Sequence, residues 1–195
     1  MIVTNIEYHT KTKVKVSLDN REDFQLYRGE IKKYGIEEGV ELTNYDEILR
    51  ETLIPRAKKR TMHLLAKMDR TKADITKKLR DNGYPAEAIA EAIAFVESYD
   101  YINDLRYAYM YVRNYRTTRS RNRIMQDMYR KGLNRDIIND AIDKEYTTNE
   151  EDLINMYIRK RNFNHESATI KDKEKMCRFL LGKGFEIDMI HKALM

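Results

Sequence analysis

The sequence predicts a mainly α-helical protein: three tandem three-helix repeats forming a curved, elongated array, preceded by a small N-terminal β-hairpin or sheet extension. Three observations lead there. An apolar pattern recurs around Gly83, Gly132 and Gly184, at separations of 49 and 52 residues, which is the range of helical repeat proteins. Charged residues make up 35% of the chain and apolar residues 42%, a balance that suits amphipathic helices with wet outer faces. Only two prolines and seven glycines occur in 195 residues, which leaves little turn-rich β material.

The repeat unit can be read position by position. Eight residues before the glycines stand Ile75, Ile124 and Met176, and four before stand Leu79, Met128 and Leu180. These positions share one face of a helix. Each glycine then falls just past that helix, where a left-handed residue is needed. Tyr84, Leu133 and Phe185 come next and can fold back onto the helix end. Pro85, Asn134 and Glu186 open a further helix, with Glu87, Asp136 and Asp188 in its first turn, where the helix dipole favours them. Ile89, Ile138 and Ile190 begin its apolar stripe. Ala92, Ala141, Ala193, Ile93, Ile142 and Leu194 continue it. A third helix precedes each pair, containing Ala57, Met62, Leu65 and Ala66, then Leu105, Ala108, Tyr109 and Val112, then Leu153, Ile154, Tyr157 and Ile158. Thr71, Ser120 and Asp172 are the expected N-caps of the middle helices.

The first fifty residues have another pattern. Lys13 to Leu18 alternates polar and apolar, as a half-buried strand does. Ile2 to Tyr8 and Phe24 to Tyr27 are further strand candidates, so a short antiparallel sheet is expected. A helix over Arg28 to Tyr34 should close at Gly35. Another should start near Thr43 to Glu47, and Pro55 should break or kink the chain. These features divide the sequence into residues 1–52, a β-containing extension; 53–103, the first repeat; 104–149, a basic second repeat; and 150–195, the third. Gly83, Gly132, Gly184 and Asp104 are its structural anchors.

Composition narrows the function classes. Cys177 is the one cysteine, so no intrachain disulfide can form, as suits a reducing compartment; a buried thiol is expected. No apolar run approaches the roughly 20 residues that span a bilayer, and the N-terminus lacks the pattern of a signal peptide. A cytoplasmic protein is therefore expected. The four histidines show no metal-ligand spacing, no phosphate-cradling glycine loop is present, and no nucleophile motif occurs. No enzyme activity, metal or other cofactor is expected.

Charge is unevenly distributed. The formal net charge is +5. Arg106 to Lys131 holds seven arginines and one lysine against Asp127, a net +7. Arg56 to Lys72 carries a net +6, whereas Arg135 to Asp152 carries −5. Basic groups interleaved with Tyr107, Tyr109, Tyr111, Tyr115 and Tyr129 suit an interface with nucleic acid or an acidic protein. Arginine forks fit phosphate or carboxylate. The candidate partner-binding residues are Arg113, Arg116, Arg119, Arg121, Arg123, Arg130 and Lys131. Lys58, Lys59, Arg70 and Lys72 form a secondary basic surface. A solvated arginine loop beside core-packing tyrosines accounts for the same residues.

Several stretches also resemble the RecX family of recombination regulators. Tyr101-Ile102-Asn103-Asp104-Leu105-Arg106-Tyr107-Ala108 resembles the motif opening that family's second unit, with Asn103 where an acid is usual. Arg121-Asn122-Arg123-Ile124 through Gly132-Leu133 is similar to its basic helix. Arg70-Thr71, Ile75 to Leu79 and Gly83-Tyr84 match its first unit. Val16-Ser17-Leu18-Asp19 and Lys33-Tyr34-Gly35-Ile36, with Gly39 and Leu42, resemble an extension found in some members. The resemblance implies a protein that binds the RecA–single-stranded-DNA filament. Such a protein inhibits recombinase, ATPase and co-protease activities in DNA repair and the SOS response. It implies the RecA nucleoprotein filament and single-stranded DNA as partners, double-stranded DNA as a further one, and no membrane or small-molecule substrate. The residues alone leave two alternatives open: a free-standing helix-turn-helix DNA-binding protein, and a helical protein–protein scaffold.

Overall fold

The computed structural model describes residues 1–195. The chain divides into two compact units, Met1–Asn103 and Asp104–Met195.

The first unit opens with strands β1 (Val3–Tyr8), β2 (Lys13–Leu18) and β3 (Phe24–Tyr27), which form an antiparallel sheet in the order β1-β2-β3. Alternation along β2 buries Val14, Val16 and Leu18. The β2–β3 register sets Val16 opposite Phe24 and Val14 opposite Leu26, so one face of the sheet is apolar. Helix α1 (Arg28–Tyr34) continues from β3 without a loop and closes at Gly35, which is left-handed at φ 60°.

Helix α2 (Tyr45–Ile48) leads through a π-helical turn, Leu49–Leu53, directly into α3 (Ile54–Leu65). The expected break at Pro55 is therefore absent. Pro55 sits in the first turn of α3, but helical turns precede it, so its missing N–H and its ring must be absorbed there. The turn before it is widened, so that Ile54 N–H reaches Leu49 O. Such a turn can accommodate the proline ring without ending the helix.

Helices α4 (Lys72–Asp81) and α5 (Ala86–Ser98) complete the first repeat. The face of α3 differs from expectation. Ala57, Thr61 and Leu64 are buried, while Met62 is exposed. The sheet and the first repeat share one core, with Val16, Phe24, Leu53, Ile75, Leu79 and Ile93 among its members. Phe24 meets Tyr45 edge-on at 5.6 Å. Polar bonds join the sheet to the α4–α5 turn. Gln25 N–H donates to Gly83 O at 2.9 Å, and Ala86 N–H at the start of α5 donates to Glu22 at 3.0 Å.

The second unit holds two repeats. The first is α6 (Asp104–Tyr115), α7 (Arg121–Arg130) and α8 (Arg135–Glu145). The second is α9 (Glu150–Lys160), α10 (Ile170–Gly182) and α11 (Ile187–Leu194). Each has its own core, built on Ile124, Met128, Ile138 and Ile142 in one and on Ile154, Leu180, Phe185 and Ile190 in the other. Leu105, expected on the apolar face of α6, is exposed; Ala108 and Val112 are buried. Asp104 opens α6 within its first turn.

The three glycines behave alike. Gly83, Gly132 and Gly184 have φ of 72°, 79° and 87°. After each, an N–H returns five residues to the buried apolar position: Tyr84 to Leu79 O, Leu133 to Met128 O, and Phe185 to Leu180 O. This is the Schellman closure of a helix end. Thr71 and Ser120 cap α4 and α7 as expected. Asp172 does not cap α10. Thr169 does, three residues earlier, with Asp172 returning a bond to Thr169 N–H at 3.0 Å. The pair forms a capping box, in which the acid at the third position is the partner of the cap. Cys177 is half-buried rather than enclosed.

Polar contacts join the second and third repeats. The Ser120 hydroxyl accepts from Arg123 N–H at 3.2 Å and donates to Lys183 O at 2.8 Å. Tyr157 donates to Thr118 O at 2.7 Å, and Arg121 N–H donates to Glu150 at 2.6 Å. A Cβ at Gly184 would lie 2.8 Å from Ser120 Oγ and 3.1 Å from Arg123 N.

Gly184→Ala therefore meets both a left-handed backbone and a tight contact, and should cost at least about 1–2 kcal/mol. Gly182→Ala, in open space within α10, should be neutral or stabilising by up to about 1 kcal/mol. Urea denaturation of the two variants checks the difference.

Candidate partner and nucleic-acid interface

The sequence places most of the positive charge on α6, α7 and their connection. Helical spacing then decides what each group meets. Asp127 lies four residues after Arg123 and three before Arg130, so both arginines share its face of α7. Asp127 is 8% exposed, and a carboxylate so placed must be paired. Arg119 Nη1 donates to its Oδ2 at 2.6 Å, Arg123 Nε lies 3.4 Å from its Oδ1, and Arg130 pairs with that same Oδ1. Tyr111 OH also donates to Oδ2, at 3.3 Å. One carboxylate thus holds three guanidinium groups and leaves local positive charge in excess.

The tyrosines position this network. Arg119 Nη1 donates to Tyr111 OH at 2.8 Å, and its guanidinium lies 3.8 Å from the centre of the Tyr115 ring. Such a contact is favourable beyond simple packing. Tyr111 and Tyr115 pack ring to ring at 4.6 Å. Burial pushes the Tyr111 hydroxyl up to about 12, so it remains a donor at neutral pH. Tyr107, Tyr109, Tyr111 and Tyr115 pack on the core of the second repeat, and Tyr129 is exposed. Four of the five tyrosines therefore support the fold while holding the cations.

The remaining candidates separate into local pairs. Arg113 forks onto Glu145 at 2.7 and 2.5 Å and holds its carboxyl below the ordinary value. Arg116 donates to Glu145 O at 3.0 Å. Arg121 pairs with Asp143 at 2.8 Å, and its N–H donates to Glu150 at 2.6 Å. Lys131 stands 5.7 Å from the Tyr107 ring centre and 5.5 Å from that of Tyr111. The structure brings Arg119, Arg123 and Arg130 together and sets Arg113 and Arg116 at the end of α8. On the first repeat, Lys58 pairs with Glu91 at 3.7 Å, Arg70 with Asp74 at 2.7 Å and Lys72 with Glu97 at 2.8 Å, while Lys59 is exposed.

Two residues were not foreseen from sequence. Lys183 and Tyr157, from the third repeat, line a cleft of about 340 Å³ together with Arg119 and Arg123. Neither lies in the basic stretch, and only the packing of repeat on repeat brings them there. The role of Asp127 had a signal in sequence: it is the lone acid among eight bases, at helical spacing from three of them.

Asp127→Ala should leave three guanidinium groups facing one another. A loss of about 2–3 kcal/mol is expected, below the full cost of breaking a buried pair because the arginines are partly in water. Asp127→Asn, which keeps an acceptor without the charge, should recover part of it. Thermal melts of both variants test this.

Comparison with known proteins fits this architecture. The description "RecX, first three-helix domain" matches residues 57–95, "RecX, second three-helix domain" residues 103–142, and "RecX, third three-helix domain" residues 149–194. Regulatory protein RecX of Caldanaerobacter subterraneus subsp. tengcongensis is 30% identical, over 100% of this chain and 98% of its own. That of Clostridium acetobutylicum is 29% identical, over 98% and 94%. A crystal structure of regulatory protein RecX shares the fold, with a TM-score of 0.60 at 24% identity over 97% of both chains. RecX from Lactobacillus salivarius gives 0.57 at 25% identity, over 72% of this chain and 94% of that one. No helix is long and apolar enough to cross a membrane. With three successive three-helix domains and full-length relatives, the chain belongs to the RecX family of regulatory, non-enzymatic proteins.

Proposed function

We propose that this protein works in the cytoplasm by binding the RecA–single-stranded-DNA filament and inhibiting RecA strand exchange, ATP hydrolysis and co-protease activity. The full-length match to RecX regulatory proteins carries this reading. The charge map supports it. The first two helices of the second repeat are basic and the third is acidic, so one module can face both phosphate and basic protein surface. Successive modules, each making weak contacts on neighbouring filament subunits, gain through effective concentration.

Within this reading, Arg119, Arg123 and Arg130 form the central contact, because one carboxylate serves all three. Arg113 and Arg121 already have partners of their own. They are weaker contacts, since a new ligand must displace Glu145 or Asp143.

RecA ATPase on single-stranded DNA, titrated with this protein, tests the function. Dose-dependent inhibition is expected, and Arg123→Ala with Arg130→Ala should weaken it. Unchanged ATPase at stoichiometric amounts would contradict the proposal. Tight DNA binding with no effect on RecA would favour a free-standing DNA-binding protein.

A further inference from the structure

We propose that the cleft between the second and third repeats is a phosphate site for a single-stranded nucleic-acid backbone. Its walls come from both repeats. Arg119 and Arg123 reach it from the start of α7, and Lys183 reaches it from the end of α10. Its volume is about 340 Å³, ample for a phosphodiester and its flanking sugar atoms.

Three features make it an anion site rather than a solvated gap. The cations are held in place. Arg119 lies 3.8 Å from the Tyr115 ring centre, and Lys183 Nζ lies 5.6 Å from that of Tyr157 and 5.4 Å from that of Phe179. Tyr157 is itself fixed by its bond to Thr118 O. The charge is also uncompensated. Asp127 pairs with Arg119 and Arg123, but it is shared with Arg130, and Lys183 has no carboxylate partner. Finally, guanidinium forks suit the flat faces of a phosphate.

The recess favours a single strand. A duplex is a stiff rod with its phosphates on the outside, whereas a flexible strand can turn one phosphate into a cleft. The aromatic faces already carry Arg119 and Lys183, so the site holds the backbone and leaves the bases unread. Binding should be independent of sequence and strongly dependent on salt.

This site rests on the filament reading, in which Arg119 and Arg123 already act, and its first test contains no RecA, so that either can fail alone. Fluorescence anisotropy of a labelled oligothymidylate is measured against the full-length protein over a salt series. Wild-type protein should bind, with unlabelled duplex competing weakly. Lys183→Gln and Arg123→Gln should each weaken binding several-fold and lower the salt slope by about one. Lys11→Gln, exposed between β1 and β2, should change neither as much. Lys183→Gln keeps the main-chain carbonyl that Ser120 bonds, so its melting temperature should match the wild type. Absence of oligonucleotide binding at low salt, or wild-type affinity and slope in both cleft variants, would overturn the proposal. So would duplex competing as well as single strand. Loss of filament binding by Lys183→Gln with oligonucleotide binding intact would assign the cleft to an acidic protein surface instead.

Discussion

The left-handed residue that ends the middle helix of each repeat governs how that repeat packs. A chain leaving an α-helix must turn sharply if the next helix is to pack on it, and glycine makes that turn without a Cβ penalty. At Gly83, Gly132 and Gly184 the turn also sends an N–H back to the carbonyl of Leu79, Met128 or Leu180. Those three side chains lie at the centres of their repeat cores and are fully buried. One residue choice thus satisfies a helix end, aims the next helix and places a core side chain. At Gly83 and Gly184 the missing Cβ does more, because a neighbour fills the space: Gln25 of the sheet at the first, Ser120 of the second repeat at the third.

The contact at Gly184 ties the third repeat to the basic start of α7. Ser120 caps α7 and bonds the carbonyl of Lys183, so the end of α10 is fixed against the start of α7. The same arrangement sets Lys183 beside Arg119 and Arg123. Positive charge within this unit is therefore organised by packing. Asp127 gathers three arginines from two segments of chain, and the tyrosines of α6 hold one of them in place. A buried acid among arginines is costly unless fully paired. Here pairing is complete on the side of the acid and incomplete on the side of the bases, which leaves the module cationic.

Much of the fold was legible in the sequence. The repeat glycines, the Thr71 and Ser120 caps, β2 and β3, and α1 with its close at Gly35 all obey local rules of spacing, capping and alternation. What failed needed context. Pro55 reads as a breaker, but a widened turn before it absorbs the ring. Asp172 reads as a cap, though Thr169 occupies that position and leaves Asp172 as its box partner. Met62 and Leu105 fit an apolar stripe by type, yet both are exposed: α3 turns Thr61 inward, and α6 buries Ala108 and Val112 but leaves Leu105 out. The basic site was legible as a charge total and not as a geometry. Counting charges could not tell that Arg113 and Arg121 are engaged by Glu145 and Asp143. Nor could it show that Lys183, sixty residues after Arg123, completes the cleft.

Co-sedimentation asks most directly whether this chain acts on a RecA filament rather than on DNA or protein alone. RecA filaments assembled on single-stranded DNA are pelleted with and without the protein, beside free DNA and free RecA. The protein should enter the pellet with filaments, saturating at a fixed ratio to RecA. Protein remaining in the supernatant at RecA concentrations that saturate the DNA would contradict a filament-binding role.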